Sequence, residues 1–105
     1  MLQLETAGWA SGPVRPASRW LDRLVGLVPR ADHGLLLIPC RSVHGVGLLE
    51  PLWVVGLDRD GHVRRVGLLA PGGTWCDPGA QAVLELPWWR DPPPPGERLV
   101  AGPIA

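Results

Sequence analysis

The sequence predicts a small, mainly β domain: a compact barrel or sandwich of short strands, with an N-terminal hairpin and one helix. Its 105 residues fit a single domain, residues 1–105, with one modest core. The second half of the chain is a series of short apolar runs broken by Gly, Pro and Asp, a spacing typical of an all-β domain. These runs are GLLLIP, RSVHGVGLL, LWVVGLD, HVRRVGLL, AVLELP and RLVAGPI.

The first elements are a hairpin and a helix. The opening LQLE alternates apolar and polar residues and is followed by the turn residues of GWASGP, which predicts an edge hairpin. The run ASRWLDRLVG, residues 17–26, predicts a helix, with Ser18 near its start and Gly26 just past its end. One face of that helix carries Trp20, Leu21, Leu24 and Val25.

Apolar runs between Gly34 and Leu57 predict the central strands. We expect the buried residues of these strands to include Leu36, Ile38, Val54 and Leu57. DRDG, residues 58–61, has the Asp and Gly that a hairpin turn requires. DPPPPG, residues 91–96, predicts a stiff connector at the surface.

Composition argues against several classes of partner. Ten Arg and no Lys balance ten acidic residues, so no net charge draws the chain to nucleic acid, an anionic membrane or an acidic substrate. The N-terminus has no basic region of the signal-peptide type, and no apolar run reaches the ~20 residues of a membrane span. We therefore expect a soluble cytoplasmic protein with Cys40 and Cys76 as reduced thiols.

Cys40 and His44 suggest two chemistries. With Cys76 they could bind zinc, but a second close-spaced pair of ligands is missing, so no metal or other cofactor is expected. They could also form a nucleophilic pair. Residues four apart in one strand lie ~13 Å apart, so such a pair requires a bend in the chain. A buried thiol and a hydrogen-bonded histidine are the simpler interpretation.

Six tryptophans occur without any Phe or Tyr. Trp9, Trp20 and Trp53 lie in predicted elements and are expected in the core. Trp88 and Trp89 precede the proline run, where exposed indoles with Arg90 beside them could contact a protein or a sugar. The alternative is that the two rings only cover one end of the fold.

Four segments together resemble a bacterial and archaeal family, domain of unknown function 192, over about residues 17–99. They are RWLDRLVGLVPR, GLLLIPCRSVHGVGLLEPLWVVGLDRDGHVRRV, AVLELP and PGERL. The resemblance implies a compact, mainly β domain with one helix after a hairpin, and it implies no reaction.

Two features of the resemblance concern a site. Cys40, Arg41 and His44 occupy positions similar to a PCRSVHT form of the family, which makes Arg41 and His44 candidate binding residues. At the position where relatives have an aspartate this chain has Trp53, and Glu50 stands where they have an aromatic or apolar residue. Any polar site around that aspartate is expected to be lost or remodelled.

Two hypotheses about function follow. The first is a non-enzymatic binding or accessory module for a protein or envelope-related ligand, with Trp88, Trp89 and Arg90 as its contact. The second is a thiol-dependent or hydrolytic enzyme centred on Cys40 and His44. The sequence does not determine the ligand or the oligomeric state.

Overall fold

A computed structural model describes residues 2–17 and 34–102. Strands account for all the regular structure of these residues, and no helix among them is long and apolar enough to cross a membrane. The predicted helix lies outside the described residues except for Ala17, which ends a strand. The strands are β1 (Gln3–Thr6), β2 (Trp9–Ala10), β3 (Val14–Ala17), β4 (Gly34–Leu37), β5 (Ser42–His44), β6 (Leu52–Leu57), β7 (Val63–Leu69), β8 (Thr74–Cys76), β9 (Ala82–Pro87) and β10 (Val100–Gly102).

Five strands form the main sheet, in the order β3-β4-β9-β6-β7. β3 and β4 are parallel, and the other neighbours are antiparallel. The prediction of central strands between Gly34 and Leu57 is confirmed for β4 and β6 and wrong for β5, which pairs only with β8 in a separate sheet. The predicted burial of Leu36, Val54 and Leu57 is confirmed. The expected burial of Ile38 is wrong: it is 44% exposed, because β4 ends one residue earlier.

Both faces of the main sheet are covered, which explains why its inner strands are almost continuously apolar. Along β9, Leu84 and Leu86 pack into a first core on one face, and Val83 packs into a second core on the other. The first core contains Leu4, Val14, Leu36, Val55, Leu57, Val63, Ala82, Leu84, Leu86 and Leu99. The second core contains Leu35, Leu37, Cys40, Val43, Leu48, Leu52, Val54, Leu69 and Val83.

The N-terminal hairpin is confirmed. β1 pairs with β2 and with β10 in a three-stranded sheet, and its Leu4 belongs to the first core. The buried Ser11 hydroxyl accepts a hydrogen bond from the backbone N–H of Leu4 at 2.9 Å. It donates one to the carbonyl oxygen of Gly12 at 2.7 Å. These bonds fasten the end of the hairpin to β1.

A third sheet, β5 with β8, lies beside the second core, to which Val43 belongs and against which Trp75 packs. The indole of Trp75 occupies the space left by the missing side chains of Gly56 and Gly67 on β6 and β7. The fold is therefore mainly β, as predicted, and none of the sheets of the described residues closes on itself.

Candidate functional site

Trp88, Trp89 and Arg90, which we call the tryptophan turn, follow directly after β9. The amide of Arg90 donates to the carbonyl oxygen of Pro87 at 3.1 Å and closes the turn. The side chains of Trp88 and Trp89 are 50% and 49% exposed. The prediction that these two rings are partly exposed is therefore confirmed.

Three indole N–H groups form hydrogen bonds in and around the tryptophan turn. Two of them bind backbone carbonyl oxygens, and the third holds the ring of Trp88. Trp53 donates to the carbonyl oxygen of Trp88 at 3.1 Å, and Trp9 donates to that of Asp91 at 2.8 Å. Trp88 itself donates to Oε2 of Glu50 at 2.9 Å. Trp9 and Trp53 also pack against the first core, so the turn is attached to the interior of the domain.

The guanidinium of Arg90 lies next to the ring of Trp89 and next to the backbone of Gly12. Its guanidinium carbon lies 5.2 Å from the centre of the Trp89 ring, within the range of a cation–π contact. Its other neighbour is Gly12, where an added Cβ would lie 2.8 Å from Nη2 of Arg90. A side chain at residue 12 would therefore displace the guanidinium, and φ of +73° at this position also favours glycine.

Aliphatic side chains are exposed on the loop between β5 and β6. Leu49 is 93% exposed and Val46 is 65% exposed. Leu49 immediately precedes Glu50, the residue that accepts the indole N–H of Trp88. The exposed Leu49 is therefore the chain neighbour of the glutamate that binds an exposed indole.

Cys40 and His44 are not arranged as a nucleophile and its base. Cys40 is buried in the second core, and its thiol donates to the carbonyl oxygen of Ser42 at 3.3 Å. His44 is exposed on β5, and its Nδ1 accepts the amide of Val46 at 3.3 Å. Within the described part of the chain no hydrogen bond joins the two residues, and no disulfide joins Cys40 to Cys76. The nearby Arg41 is exposed, and its carbonyl oxygen accepts the amide of Asp77.

Asp58, Asp60 and His62 have possible metal-ligating atoms within 4.8 Å of one another, but a hairpin turn explains the cluster. Oδ1 of Asp58 accepts the amides of Asp60 and His62 at 2.8 and 2.9 Å, and Oδ2 lies 3.2 Å from Nδ1 of His62. The backbone N–H of His62 is the main reason that the pKa of Asp58 is lowered. This is the turn predicted from DRDG, now placed between β6 and β7.

Glu85 is the residue that sequence reasoning missed. It lies in β9 between Leu35 of β4 and Val54 of β6, is only 2% exposed, and faces the second core. Its Oε1 has no hydrogen-bond partner among the described residues, and burial raises the pKa of Glu85 to about 8. The available signal was a single acidic residue inside the apolar run AVLELP.

Two solved structures have a similar fold. One is a protein of Sinorhizobium meliloti proposed to be a transcription regulator, with a TM-score of 0.70, 22% identity, and coverage of 95% of this chain and 91% of that chain. The other is a protein of unknown function from Novosphingobium aromaticivorans, with a TM-score of 0.64, 15% identity, and coverage of 82% and 71%. No protein-family model and no curated protein matches the chain. At these identities the similarity shows the fold alone.

Proposed function

We propose that this chain is a non-enzymatic binding module that contacts a protein partner through the tryptophan turn. The observation that carries the proposal is a pair of half-exposed indoles on a backbone held by hydrogen bonds from Trp9 and Trp53. Trp and Arg are the residues that most often dominate the binding energy of protein interfaces. Because the turn is already ordered, binding loses little additional conformational entropy there.

The neighbouring loop favours a protein over a sugar as the ligand. Leu49 adds exposed aliphatic surface next to Glu50, the residue that binds the Trp88 indole, and Val46 is exposed on the same loop. Burial of such side chains against another protein is favourable, whereas they offer no hydrogen bond to sugar hydroxyl groups. Clusters of exposed apolar side chains mark interaction sites on proteins.

The alternative enzyme centred on Cys40 and His44 receives less support. A reactive thiol needs an accessible thiolate beside a base or a cation. Here the thiol packs in the second core while the imidazole is exposed and hydrogen-bonded to its own loop.

Site-specific photocrosslinking tests the proposal. A benzophenone amino acid in place of Leu49 should capture a defined protein in a lysate of the source organism, and the same probe at the similarly apolar Val100 of β10 should not. Trp88→Ala and Trp89→Ala should remove the adduct while thermal unfolding shows that both variants remain folded. With the captured protein purified, Trp89→Ala should weaken the Kd at least about tenfold, the effect of an interface hot spot.

Three outcomes would overturn the proposal. They are equal capture from Leu49 and Val100, an adduct that survives both tryptophan substitutions, and no protein adduct at all. Binding of the parent, but not of Trp89→Ala, to a glycan array would replace the protein partner with a sugar.

A further inference from the structure

A cavity of about 450 Å³ opens between the β6–β7 hairpin turn, the segment after β4, and β10. None of the residues of the tryptophan turn lines it, so it is a separate feature of the molecule. Its floor is formed by buried aliphatic side chains of the first core: Leu4, Leu36, Leu57, Ala82 and Leu99. Volumes of this size and apolar floors of this kind are typical of small-molecule sites.

The polar side chains at its rim come from the hairpin turn and from Gln81. Asp58 and Asp60 contribute two carboxylates, and Arg59 contributes one guanidinium. The pKa of Asp58 is lowered by the backbone N–H of His62, so that this group is ionised at neutral pH. Among the described residues no hydrogen bond or ion pair involves the carboxylate of Asp60, which lies within 4.8 Å of the Asp58 carboxylate and the His62 imidazole.

We infer that this cavity binds a small organic cation, namely a primary amine with an aliphatic body. The body would displace water from the leucine floor, and the ammonium group would lie at the rim beside Asp60. A carboxylate ligand would instead meet a rim in which two carboxylates outweigh the single guanidinium of Arg59, a net negative charge that disfavours an anion. A wholly apolar ligand would cover the rim carboxylate without offering it a hydrogen bond, which is unfavourable.

A series of ligands with the same body and different head groups tests the inference. Heptylamine, heptanol and heptanoate are titrated into the full chain at pH 7.5, and binding is followed by calorimetry and by amide shifts in ¹H–¹⁵N spectra. We expect heptylamine to bind most tightly, with the largest shifts at Gly61, Ala82 and Ala101 around the cavity. Failure of this experiment leaves the proposed protein contact untouched, because its readout lies at a different site.

Substitutions of the exposed Asp60 test whether its negative charge binds the ammonium group of the ligand. Asp60→Asn should weaken heptylamine about fivefold, the size of an exposed charge pair, and leave heptanol unchanged. Asp60→Arg should reverse the preference toward heptanoate. Asp91→Asn, which alters an exposed carboxylate outside the cavity, is the matched control and should change nothing.

The inference is overturned by any of several results. These are tighter binding of heptanoate than of heptylamine by the parent, equal binding of all three compounds, shifts confined to the tryptophan turn, or no binding at millimolar concentration. Unchanged heptylamine affinity in Asp60→Asn would likewise contradict it.

Discussion

The carboxyl group of Glu85 is buried in the centre of the main sheet, and this makes the stability of the domain depend on pH. The ordinary pKa of such a group is 4.5, and burial raises it to about 8 in the folded protein. The folded state therefore holds a proton that the unfolded chain releases at neutral pH. Its contribution to stability is complete below about pH 4.5 and is lost as the pH rises through about 8.

We therefore predict that the free energy of unfolding falls by a few kcal/mol between pH 5 and pH 8, since one pKa unit corresponds to about 1.4 kcal/mol. Glu85→Gln keeps the shape of the neutral acid, so it should flatten this slope and be more stable than the parent at pH 8. Glu97→Gln, at an exposed position, should retain the slope of the parent. Urea unfolding at several pH values measures all three proteins, and equal slopes in the parent and Glu85→Gln would contradict the prediction.

Trp53 combines partial packing against the first core with one hydrogen bond to the tryptophan turn. We predict that Trp53→Asp lowers the free energy of unfolding by about 3 kcal/mol or more, because it removes the ring and places a charge where the ring packed. Trp53→Phe keeps a six-membered ring but loses the pyrrole ring, so it should cost about 1 kcal/mol for the lost N–H bond and a smaller amount for lost packing. Thermal and urea unfolding at neutral pH check both values. If Trp53→Asp were as stable as the parent, the position would offer a polar pocket, and the idea of a lost site would be wrong.

Among the elements, the loop after β8 is attached to β7 by an ion pair. The guanidinium of Arg64 donates from Nε to Oδ2 of Asp77 at 3.0 Å and from Nη2 to Oδ1 at 3.2 Å. The amide of Gly79 also donates to Oδ1, at 3.2 Å. The Arg64 guanidinium is the main reason that the pKa of the buried Asp77 lies below its ordinary value. This pair connects the two-stranded sheet to the main sheet.

We predict that Asp77→Ala lowers the free energy of unfolding by about 1–3 kcal/mol at neutral pH, as expected when a buried hydrogen-bonded group is removed. Because the folded pKa of Asp77 is depressed, its contribution is present above pH 3.8 and is lost as the pH falls through the folded value. The difference in stability between parent and variant should therefore shrink on acidification. Asp91→Ala, at an exposed carboxylate, is the control. A difference that stays constant from pH 7 to pH 2 would show that the carboxylate charge is not involved.

The reaction rates of the two cysteine thiols measure how often the folded molecule unfolds. Cys76 is exposed and Cys40 is buried in the second core. We predict that iodoacetamide modifies Cys76 rapidly in the folded protein, and Cys40 only as the fold opens. Unfolded protein prepared without reductant should contain two reactive thiols per chain. Cys76→Ser isolates the reaction of Cys40; modification of that thiol faster than a model thiol at neutral pH would revive the enzyme hypothesis.

For the molecule as a whole, the strands were predictable because the sequence patterns that indicate them span only a few residues. Apolar runs bounded by Gly, Pro and Asp indicated β4, β6, β7 and β9, and the residues Asp58 to Gly61 indicated the hairpin turn. The exposed pair Trp88 and Trp89 could be predicted because a proline run follows it. Ile38 was misjudged because its burial depends on where β4 ends, which is set by pairing with β9.

The sequence by itself determined the mainly β class and the hairpins, since periodicity and turn residues act over a few positions. It also determined the equal number of positive and negative charges. Only the tertiary structure decided which residues from distant positions meet. It placed Trp9 and Trp53 under the tryptophan turn, Arg64 on Asp77, and the hairpin turn beside an apolar cavity. It also showed that the face of β9 carrying Glu85 is covered, and that burial is the physical reason for its altered acidity.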